Sequence, residues 1–268
     1  ATTDEFDYPR GNDNAFTRYN GQGGVPISSL GRQVAYAYDL GSLQLLISDY
    51  LNKNTKIHYY RQIQARVRHI APFLHFDSDP YLVVVNGRLQ WILDAYTVSD
   101  RYPFSEPVVQ SPESATLLKE SKIADLVGNN LNYIRNSVKV VVDAYDGTPK
   151  FYVVDETDPI LKTYRKIFPS LFASKASVPP EIKAHFRYPQ DLFKIQAQMY
   201  LAYHMSNPEE FYNQEDLWHF PIQTYEDKQV VMQPYYTIMR LPSASQEEFV
   251  LIFPFTPANK DNMIAWMA

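Results

Sequence analysis

Two apolar runs separated by Asn86-Gly87 constrain the fold of this chain more than any other feature of its sequence. Asn-Gly between apolar runs is the strongest short-range signal for a β-hairpin, because both turn positions need positive φ angles that these residues tolerate. Residues 81–94 are therefore predicted to form an antiparallel hairpin with Val84 opposite Leu89. On this register the paired side chains share one face with Leu93, and we predict that this face belongs to the core.

A second hairpin is predicted over residues 138–154, where Asp146-Gly147 separates two further apolar runs. If Asp146-Gly147 is a two-residue turn, Asp143 lies opposite Lys150. Pro149 follows the turn signal directly and cannot donate a backbone hydrogen bond, so a longer loop is the alternative.

Helical patterns separate the hairpins along the chain. Asp158 followed by Pro159 is typical of a helix start, since the aspartate side chain caps the first turn and proline is tolerated there. Helices are predicted over residues 32–72, 113–135, 157–168 and 189–206, and a third hairpin over 229–241 and 248–255. Hairpins alternating with helices indicate an α+β fold, with a mixed or antiparallel sheet covered by helices, rather than a doubly wound parallel sheet.

No linker divides the chain, so residues 1–268 are predicted to form one soluble domain or a fragment of one. Residues 1–31 hold five of the nine glycines and are predicted to be a glycine-rich, extended N-terminal segment. Residues 262–268 are typical of the start of an apolar helix, which leads us to expect a C-terminal continuation in a longer protein.

The composition excludes several classes of protein. Hydrophobic residues make up 45% of the 268 residues, which is enough apolar material for a buried core. The net charge of −5 argues against a nucleic-acid-binding protein, because such proteins usually present a basic face. The sequence contains no cysteine, which excludes disulfides, thiolate metal sites and cysteine nucleophiles.

His75, Asp77 and Asp79 are the first candidate site. They stand at positions i, i+2 and i+4, so they lie on one face of an extended chain. An imidazole with two carboxylates suits a divalent cation, the one cofactor that the sequence suggests. The alternative is a turn that uses aspartate hydrogen bonds ahead of the first hairpin.

His185, Arg187 and Asp191 are the second candidate site, placed around the start of a predicted helix. His185 could act as a general acid or base, and Arg187 could hold an anion. The alternative is a structural ion pair between the arginine and a carboxylate. No nucleophile accompanies these residues, so the sequence favours a protein that is not an enzyme.

Several stretches of the sequence together carry a family resemblance. They are Tyr19-Asn-Gly-Gln-Gly-Gly-Val25, Arg66-Val-Arg-His-Ile-Ala-Pro-Phe-Leu74, Gly87-Arg-Leu-Gln-Trp-Ile-Leu-Asp-Ala-Tyr-Thr97, His185-Phe-Arg-Tyr-Pro-Gln-Asp-Leu-Phe193 and Asn262-Met-Ile-Ala-Trp-Met267. In order and over nearly the whole chain, they resemble uncharacterised protein family 0182. The family's pattern includes Asp-x-Asp-Pro-Tyr around Asp77 and Asp79 but not His75, which weakens the three-ligand metal site.

The resemblance implies that the chain is the extracytoplasmic region of a large protein with several spans in the bacterial cytoplasmic membrane. Its partners would then be the membrane-spanning part of the same protein and components of the cell envelope, with no nucleic acid. The resemblance implies no established activity. The leading interpretation is a non-catalytic interaction or ligand-binding domain. The alternatives are a metal-dependent envelope enzyme that acts on glycan or lipid, and a scaffold for a transporter-like membrane half.

Overall fold

The computed structural model describes residues 4–108, 130–242 and 244–268. Residues 113–129 of the helix predicted over 113–135 lie outside this part of the chain. The end of that predicted helix is wrong, because residues 133–135 are the start of a strand.

The described residues form α-helices and β-strands in an α+β arrangement, as predicted. The helices are α1 (Leu30–Asp39), α2 (Gln44–Ile47), α3 (Ile63–Ile70), α4 (Pro159–Ile167), α5 (Pro180–Lys183), α6 (Gln190–Tyr203) and α7 (Pro208–Asn213), with a 3-10 turn at Lys175–Ser177. The strands are β1 (Glu5–Arg10), β2 (Asp13–Thr17), β3 (Val25–Pro26), β4 (Lys56–Ile57), β5 (His75–Phe76), β6 (Tyr81–Val85), β7 (Arg88–Ser99), β8 (Tyr133–Asp143), β9 (Pro149–Val153), β10 (Phe172–Ala173), β11 (Trp218–His219), β12 (Ile222–Tyr225), β13 (Lys228–Val231), β14 (Tyr235–Met239), β15 (Glu248–Pro257) and β16 (Ala265–Met267).

A six-stranded sheet in the order β10-β9-β8-β7-β5, with β6 also paired to β7, forms the centre of the structure. All its strand pairs are antiparallel except β9 with β10, so the sheet is mixed. Helices α3 and α4 cover one face and bury an aliphatic and aromatic core with it. That core contains Val67, Ala71, Leu74, Phe76, Leu93, Ala95, Val138, Val140, Val142, Phe151, Val153 and Leu161.

The first hairpin has the predicted register, with Val84 opposite Leu89. The prediction that this face is core is wrong at the turn end, where Val84 is 63% and Leu89 48% exposed. The face becomes core only further along β7, where Leu93 is fully buried. The turn end therefore projects past the helices that cover the sheet.

The second hairpin has the longer loop that Pro149 requires. Lys150 lies opposite Val141, so the pairing of Asp143 with Lys150 is wrong. Asp143 instead accepts hydrogen bonds from the backbone N–H groups of Tyr145 (2.9 Å) and Asp146 (2.8 Å) and closes the loop with its side chain.

A second sheet in the order β11-β15-β14, with β16 also paired to β15, packs against helix α6. The strand at β16 contradicts the predicted helix over 262–268, because Trp266 and its neighbours pair with β15. The third hairpin is correct for β14 and β15, whereas β13 pairs with β12 in a hairpin of its own. The core of this half contains Phe193, Ala197, Phe220, Leu251, Phe253 and Phe255.

The region predicted as helical over 32–72 is interrupted. Helices α1, α2 and α3 occupy parts of it, and strand β4 lies between α2 and α3. The helix predicted over 157–168 is confirmed as α4, and the Asp158 side chain caps it by accepting from the Ile160 N–H at 2.9 Å.

Candidate functional site

Asp77 follows strand β5 and is almost completely buried. Its Oδ1 accepts a hydrogen bond from the backbone N–H of Asp79 at 2.9 Å. Its Oδ2 accepts from the backbone N–H of Asp191 at 3.0 Å and from the Tyr96 hydroxyl. Both carboxylate oxygens therefore already have donors, which compensates the cost of burying the charge.

Asp191 brings the start of helix α6 to the same place. Its Oδ2 accepts from the Ser78 N–H at 2.7 Å and its Oδ1 from the Ser78 hydroxyl at 2.9 Å. Lys194, one turn later on the helix, places its Nζ 3.8 Å from Asp191 Oδ1. The two sequence-predicted groups, more than 100 positions apart, thus meet at a single point in the fold.

Arg187 connects this point to Asp79. Its Nη2 lies 2.6 Å from Asp79 Oδ2. The guanidinium carbon stands 3.8 Å from the ring centre of Tyr81 and 4.4 Å from that of Tyr236, so two aromatic rings lie close to it. A guanidinium held by a carboxylate and two rings is firmly positioned.

A buried ion pair between Asp94 on β7 and Lys139 on β8 completes the arrangement. Lys139 Nζ also donates to the backbone carbonyl of Arg187 at 2.7 Å, which ties the sheet to the segment before α6. Sequence analysis missed this pair. The available signal was a charged residue within an otherwise apolar strand run in both β7 and β8.

We call Asp77, Asp79, Asp94 and Asp191 the carboxylate cluster. Burial raises the pKa of Asp94 to about 6, although the ammonium of Lys139 opposes the shift. Burial and the neighbouring charge of Asp77 raise the pKa of Asp191 to about 6. Burial also raises the pKa of Asp79, against the lowering effect of Arg187.

The two histidines of the candidate sites stand apart from the carboxylate cluster. His75 is half-buried on β5, where burial and then the charge of Arg68 lower its pKa. His185 is exposed, and only its backbone carbonyl takes part, accepting from the Tyr81 hydroxyl at 3.1 Å. Within residues 4–108, 130–242 and 244–268 there is no group of three or more histidine or carboxylate side chains placed to hold a metal ion.

A cleft of about 540 Å³ lies between strand β8 and the segment from the 3-10 turn to helix α6. Lys139 and Arg187 line it, so the carboxylate cluster lies directly behind its wall. We call this the cationic cleft. Its basic lining residues are Arg135, Lys139, Lys175, Lys183 and Arg187, its acidic one is Asp155, and its apolar ones include Ile134, Val154, Val178, Phe186 and Leu192.

The cations of the cleft differ in their partners. Lys139 and Arg187 are committed to buried or half-buried carboxylates, and Arg135 lies 3.4 Å from Asp155. Lys175 and Lys183 are exposed, and in the described part of the chain neither forms an ion pair. These two ammonium groups are available to a ligand. Sequence analysis could not single them out, because isolated surface lysines look alike in any sequence.

This arrangement has features of a small-molecule binding site. An apolar lining with a few charged groups is typical of small-molecule sites, and Lys175 and Lys183, the two lining cations without an ion pair among the described residues, favour an anion. Asp77 and Asp191 accept hydrogen bonds at both carboxylate oxygens, Asp94 is paired with Lys139, and these contacts hold the wall in place. No side chain among the described residues of the cleft pairs a nucleophile with a base.

Comparison with known proteins gives one consistent result. The family model described as "Uncharacterised protein family (UPF0182)" matches residues 1–268. A UPF0182 protein of Trichodesmium erythraeum is 64% identical over 267 residues, covering 100% of this chain and 29% of that protein. UPF0182 proteins of Methanospirillum hungatei and of a Sulfurovum species are each 49% identical, covering 99% and 98% of this chain and 28% and 27% of theirs.

The chain thus spans about 28% of the length of the curated relatives it matches. No solved structure matches it. Among the described residues, none of the helices has the length and apolar character that a membrane span requires.

Proposed function

This chain belongs to the uncharacterised protein family UPF0182, and from that premise and the site geometry we propose that it is a non-catalytic ligand-binding domain whose cationic cleft takes an amphipathic organic anion. The observation that carries the proposal is an apolar cleft at which Lys175 and Lys183 are exposed and form no ion pair in the described part of the chain, whereas its other three cations are paired with carboxylates. The apolar lining would hold a hydrocarbon body, and Lys175 and Lys183 would hold the anionic head.

Rigidity of the cleft wall supports this proposal. Lys139 and Arg187 are held by buried partners before any ligand arrives, so little side-chain entropy remains to be lost there on binding. The exposed lysines, Lys175 and Lys183, stand where the cleft meets solvent. A preformed wall with exposed lysines at its edge suits a ligand that has a negative charge and an apolar body.

Titration calorimetry with octyl phosphate, below its micelle concentration, tests the proposal. Octyl phosphate should bind with a Kd below about 1 mM. Inorganic phosphate lacks the apolar body and octyltrimethylammonium lacks the negative charge, so both should bind far more weakly. Equal binding of octyltrimethylammonium would contradict the proposal, since the apolar lining alone would then explain the affinity.

A double variant locates the binding site. Lys175→Gln with Lys183→Gln should weaken octyl phosphate binding about twofold to thirtyfold, because partly exposed ion pairs contribute about 0.2–1 kcal/mol each. Lys228→Gln with Lys260→Gln is the matched control, since these lysines are exposed and do not line the cleft. Equal effects of the two double variants would show that the anion is not held in the cleft.

The rival interpretation, a metal-dependent envelope enzyme, receives less support. It requires the two candidate groups to meet, and Asp77, Asp79, Arg187 and Asp191 do meet. The oxygens of Asp77 are occupied by three protein donors, however, and His185 is exposed and bonds to Tyr81 through its backbone carbonyl. A metal ion would have to displace those donors, which disfavours the divalent-cation prediction.

The place of this domain in a longer protein is a second part of the proposal. The resemblance implies an extracytoplasmic position beside membrane spans of the same polypeptide, and the relatives are long enough to contain such spans. The chain has no cysteine, so a cysteine introduced into it can be labelled without reaction of a native cysteine in this region. Tyr212→Cys, in the full-length protein with any other cysteines replaced, should react with a membrane-impermeant maleimide in intact cells, because Tyr212 is 86% exposed.

A buried position controls this labelling experiment. Ala197→Cys, at a fully buried position, should react only after denaturation. Labelling of Tyr212→Cys that appears only after the cells are lysed would place the domain on the cytoplasmic side and contradict the proposal.

An exposed apolar face on helices α1 and α2 supports a scaffold role as the second candidate function. Tyr38 is 90%, Ile47 79% and Leu43 74% exposed, and such large exposed patches usually mark interaction sites. We propose that another segment of the longer polypeptide covers this face. A photo-crosslinking residue at position 38 of the full-length protein should then join peptides outside this chain. Crosslinks only to a second copy of the protein would contradict that occupant.

A further inference from the structure

A second cleft, of about 430 Å³, lies between the N-terminal segment, residues 58–66 and the loop that joins β8 to β9. It shares no lining residue with the cationic cleft. Its lining is rich in aromatic side chains, and we call it the aromatic cleft. These side chains are Tyr19, His58, Tyr59, Tyr60, Trp91 and Tyr145.

Hydrogen bonds fix the N-terminal wall of this cleft. Asp146 Oδ1 accepts from the Tyr19 hydroxyl at 3.1 Å and from the Gln22 N–H at 2.8 Å. Gly23 permits this approach, since a Cβ there would lie 2.1 Å from the Asp146 carbonyl oxygen. The glycine-rich stretch of the sequence therefore packs tightly against the loop that joins β8 to β9 and forms one wall of the cleft.

Arg66 fixes the second wall. Its Nε donates to the Gly147 carbonyl at 2.6 Å and its Nη1 to the Tyr59 carbonyl at 2.9 Å. One side chain thus joins the loop after β8 to the segment that carries the tyrosines. Because both walls are fixed by bonds within the protein, the cleft is already formed without a ligand.

Tyr60 occupies a strained backbone conformation beside the cleft. Its φ is +50°, a region that bulky residues rarely adopt and that clusters at ligand-binding sites. Its ring contacts those of Tyr59 and His69, with centroid distances of 4.1 Å and 3.7 Å, and 38% of the residue is exposed. This backbone conformation places the Tyr60 ring at the cleft, although packing of the core does not require a ring there.

The charges around the cleft are balanced. Asp143 and Asp146 lie 2.9 Å and 3.1 Å from the guanidinium of Arg88, and Arg66 is occupied by backbone carbonyls. The carboxylates disfavour a phosphate, and the arginines disfavour a cation over the rings. Glu5 and Arg61 are exposed lining residues that form no ion pair within the described ranges, and they could bond to hydroxyl groups.

From these features we infer that the aromatic cleft binds a neutral oligosaccharide. The apolar C–H face of a sugar ring packs against aromatic surfaces, and its hydroxyls each donate and accept hydrogen bonds at a polar rim. The inference does not depend on the anion proposed for the cationic cleft. Sugar binding would give the tyrosines that line this cleft a role other than core packing.

Fluorescence titration with maltotetraose, cellotetraose and tetra-N-acetylchitotetraose tests the inference. Trp91 lines the cleft and is one of three tryptophans, so a bound sugar should change the emission, and Trp91→Phe should abolish that change. At least one of the sugars should bind with a Kd below about 10 mM. Tyr60→Gly should weaken that binding about tenfold or more, because it removes the ring.

The Tyr60→Gly variant should still fold, because glycine adopts a positive φ more easily than tyrosine, so its sugar binding can be measured. Tyr212→Ala removes an exposed tyrosine that does not line the cleft and should leave sugar binding unchanged. Three results would overturn the inference: no binding of any of the three sugars, equal binding in Tyr60→Gly, or tighter binding of a sulfated sugar than of its neutral counterpart.

Discussion

At the scale of single residues, Asp77 shows how the candidate site is held together. Its carboxylate receives donors from β7, from the following turn and from the start of α6, so one side chain connects three segments. Removing one donor from a buried charge costs more than the average hydrogen bond contributes. The aspartates that sequence analysis proposed as candidate site residues therefore hold Arg187 and the cleft wall in position.

Tyr96→Phe removes the hydroxyl that donates to buried Asp77 while it keeps the ring. The free energy of unfolding should fall by about 1.5–3 kcal/mol, the range for a hydrogen bond to a charged group. Urea denaturation measures this change. Tyr212→Phe, at an exposed position, should be neutral, and an equally small change in both variants would contradict the role of the hydroxyl.

The raised pKa of Asp191, about 6 against an ordinary 3.8, predicts a pH dependence of stability. Between these values the folded state holds more protons than the unfolded state, so this group's stabilisation is complete below pH 3.8 and is lost as the pH rises through about 6. The full effect for such a shift is about 3 kcal/mol. Asp143 and Asp155, whose pKa values are lowered, act in the opposite direction.

Asp191→Asn isolates the contribution of that group. The loss of unfolding free energy between about pH 4 and about pH 7 should be smaller in the variant than in the wild type. Asp261→Asn, at an exposed aspartate, is the control. Identical pH profiles for wild type and Asp191→Asn would contradict the raised pKa.

Strand β7 is the element that organises both the core and the site. Leu93 and Ala95 enter the core on one face, whereas Asp94 and Tyr96 carry the polar network. A bulge in β8 places Ser137 between the partners of Ala95 and Tyr96, and its hydroxyl reaches the buried cap residue of α4. Bulges often redirect side chains beside functional sites.

The buried middle of β7 and the exposed turn end of the first hairpin should respond differently to truncation. Leu93→Ala should lower the free energy of unfolding by about 2–5 kcal/mol, because it leaves a cavity in the core. Val84→Ala, on the exposed hairpin end opposite Leu89, should change it by less than about 0.5 kcal/mol. A large loss for Val84→Ala would show that another surface covers the hairpin end.

Local chemistry accounts for the elements that sequence analysis predicted correctly. The Asn86-Gly87 turn and the Asp158 cap depend on neighbours a few positions away. The meeting of Asp79 with Arg187 and the pair of Asp94 with Lys139 depend on strand order and on segments 45 or more positions apart, which no local pattern carries. The predicted C-terminal helix failed for the same reason, since pairing with β15 decides its conformation.

At the scale of the whole molecule, charge is sorted in space although it is mixed along the sequence. The chain carries a net charge of −5, yet one cleft presents two lysines without an ion pair among the described residues, and another presents aromatic rings with balanced charges. Two clefts of different chemistry fit the ligand-binding role that we propose for this chain, which spans about 28% of its relatives.

Binding in the cationic cleft should depend on ionic strength. Charges at an exposed rim are screened over about 10 Å at 0.1 M salt, so raising the salt from about 0.05 M to about 0.5 M should weaken octyl phosphate binding severalfold. The Lys175→Gln and Lys183→Gln double variant should show a smaller salt effect. An affinity that salt does not change would indicate an apolar site elsewhere.

The most direct test of the central claim is to map a bound amphipathic anion by NMR. Amide shifts of this chain would be followed as octyl phosphate is added. The account predicts that the perturbed amides cluster in β8, in the segment from Lys175 to Pro189 and at the start of α6, and that they saturate together. Perturbations confined to the exposed apolar face of α1 and α2, or no saturable change anywhere, would contradict it.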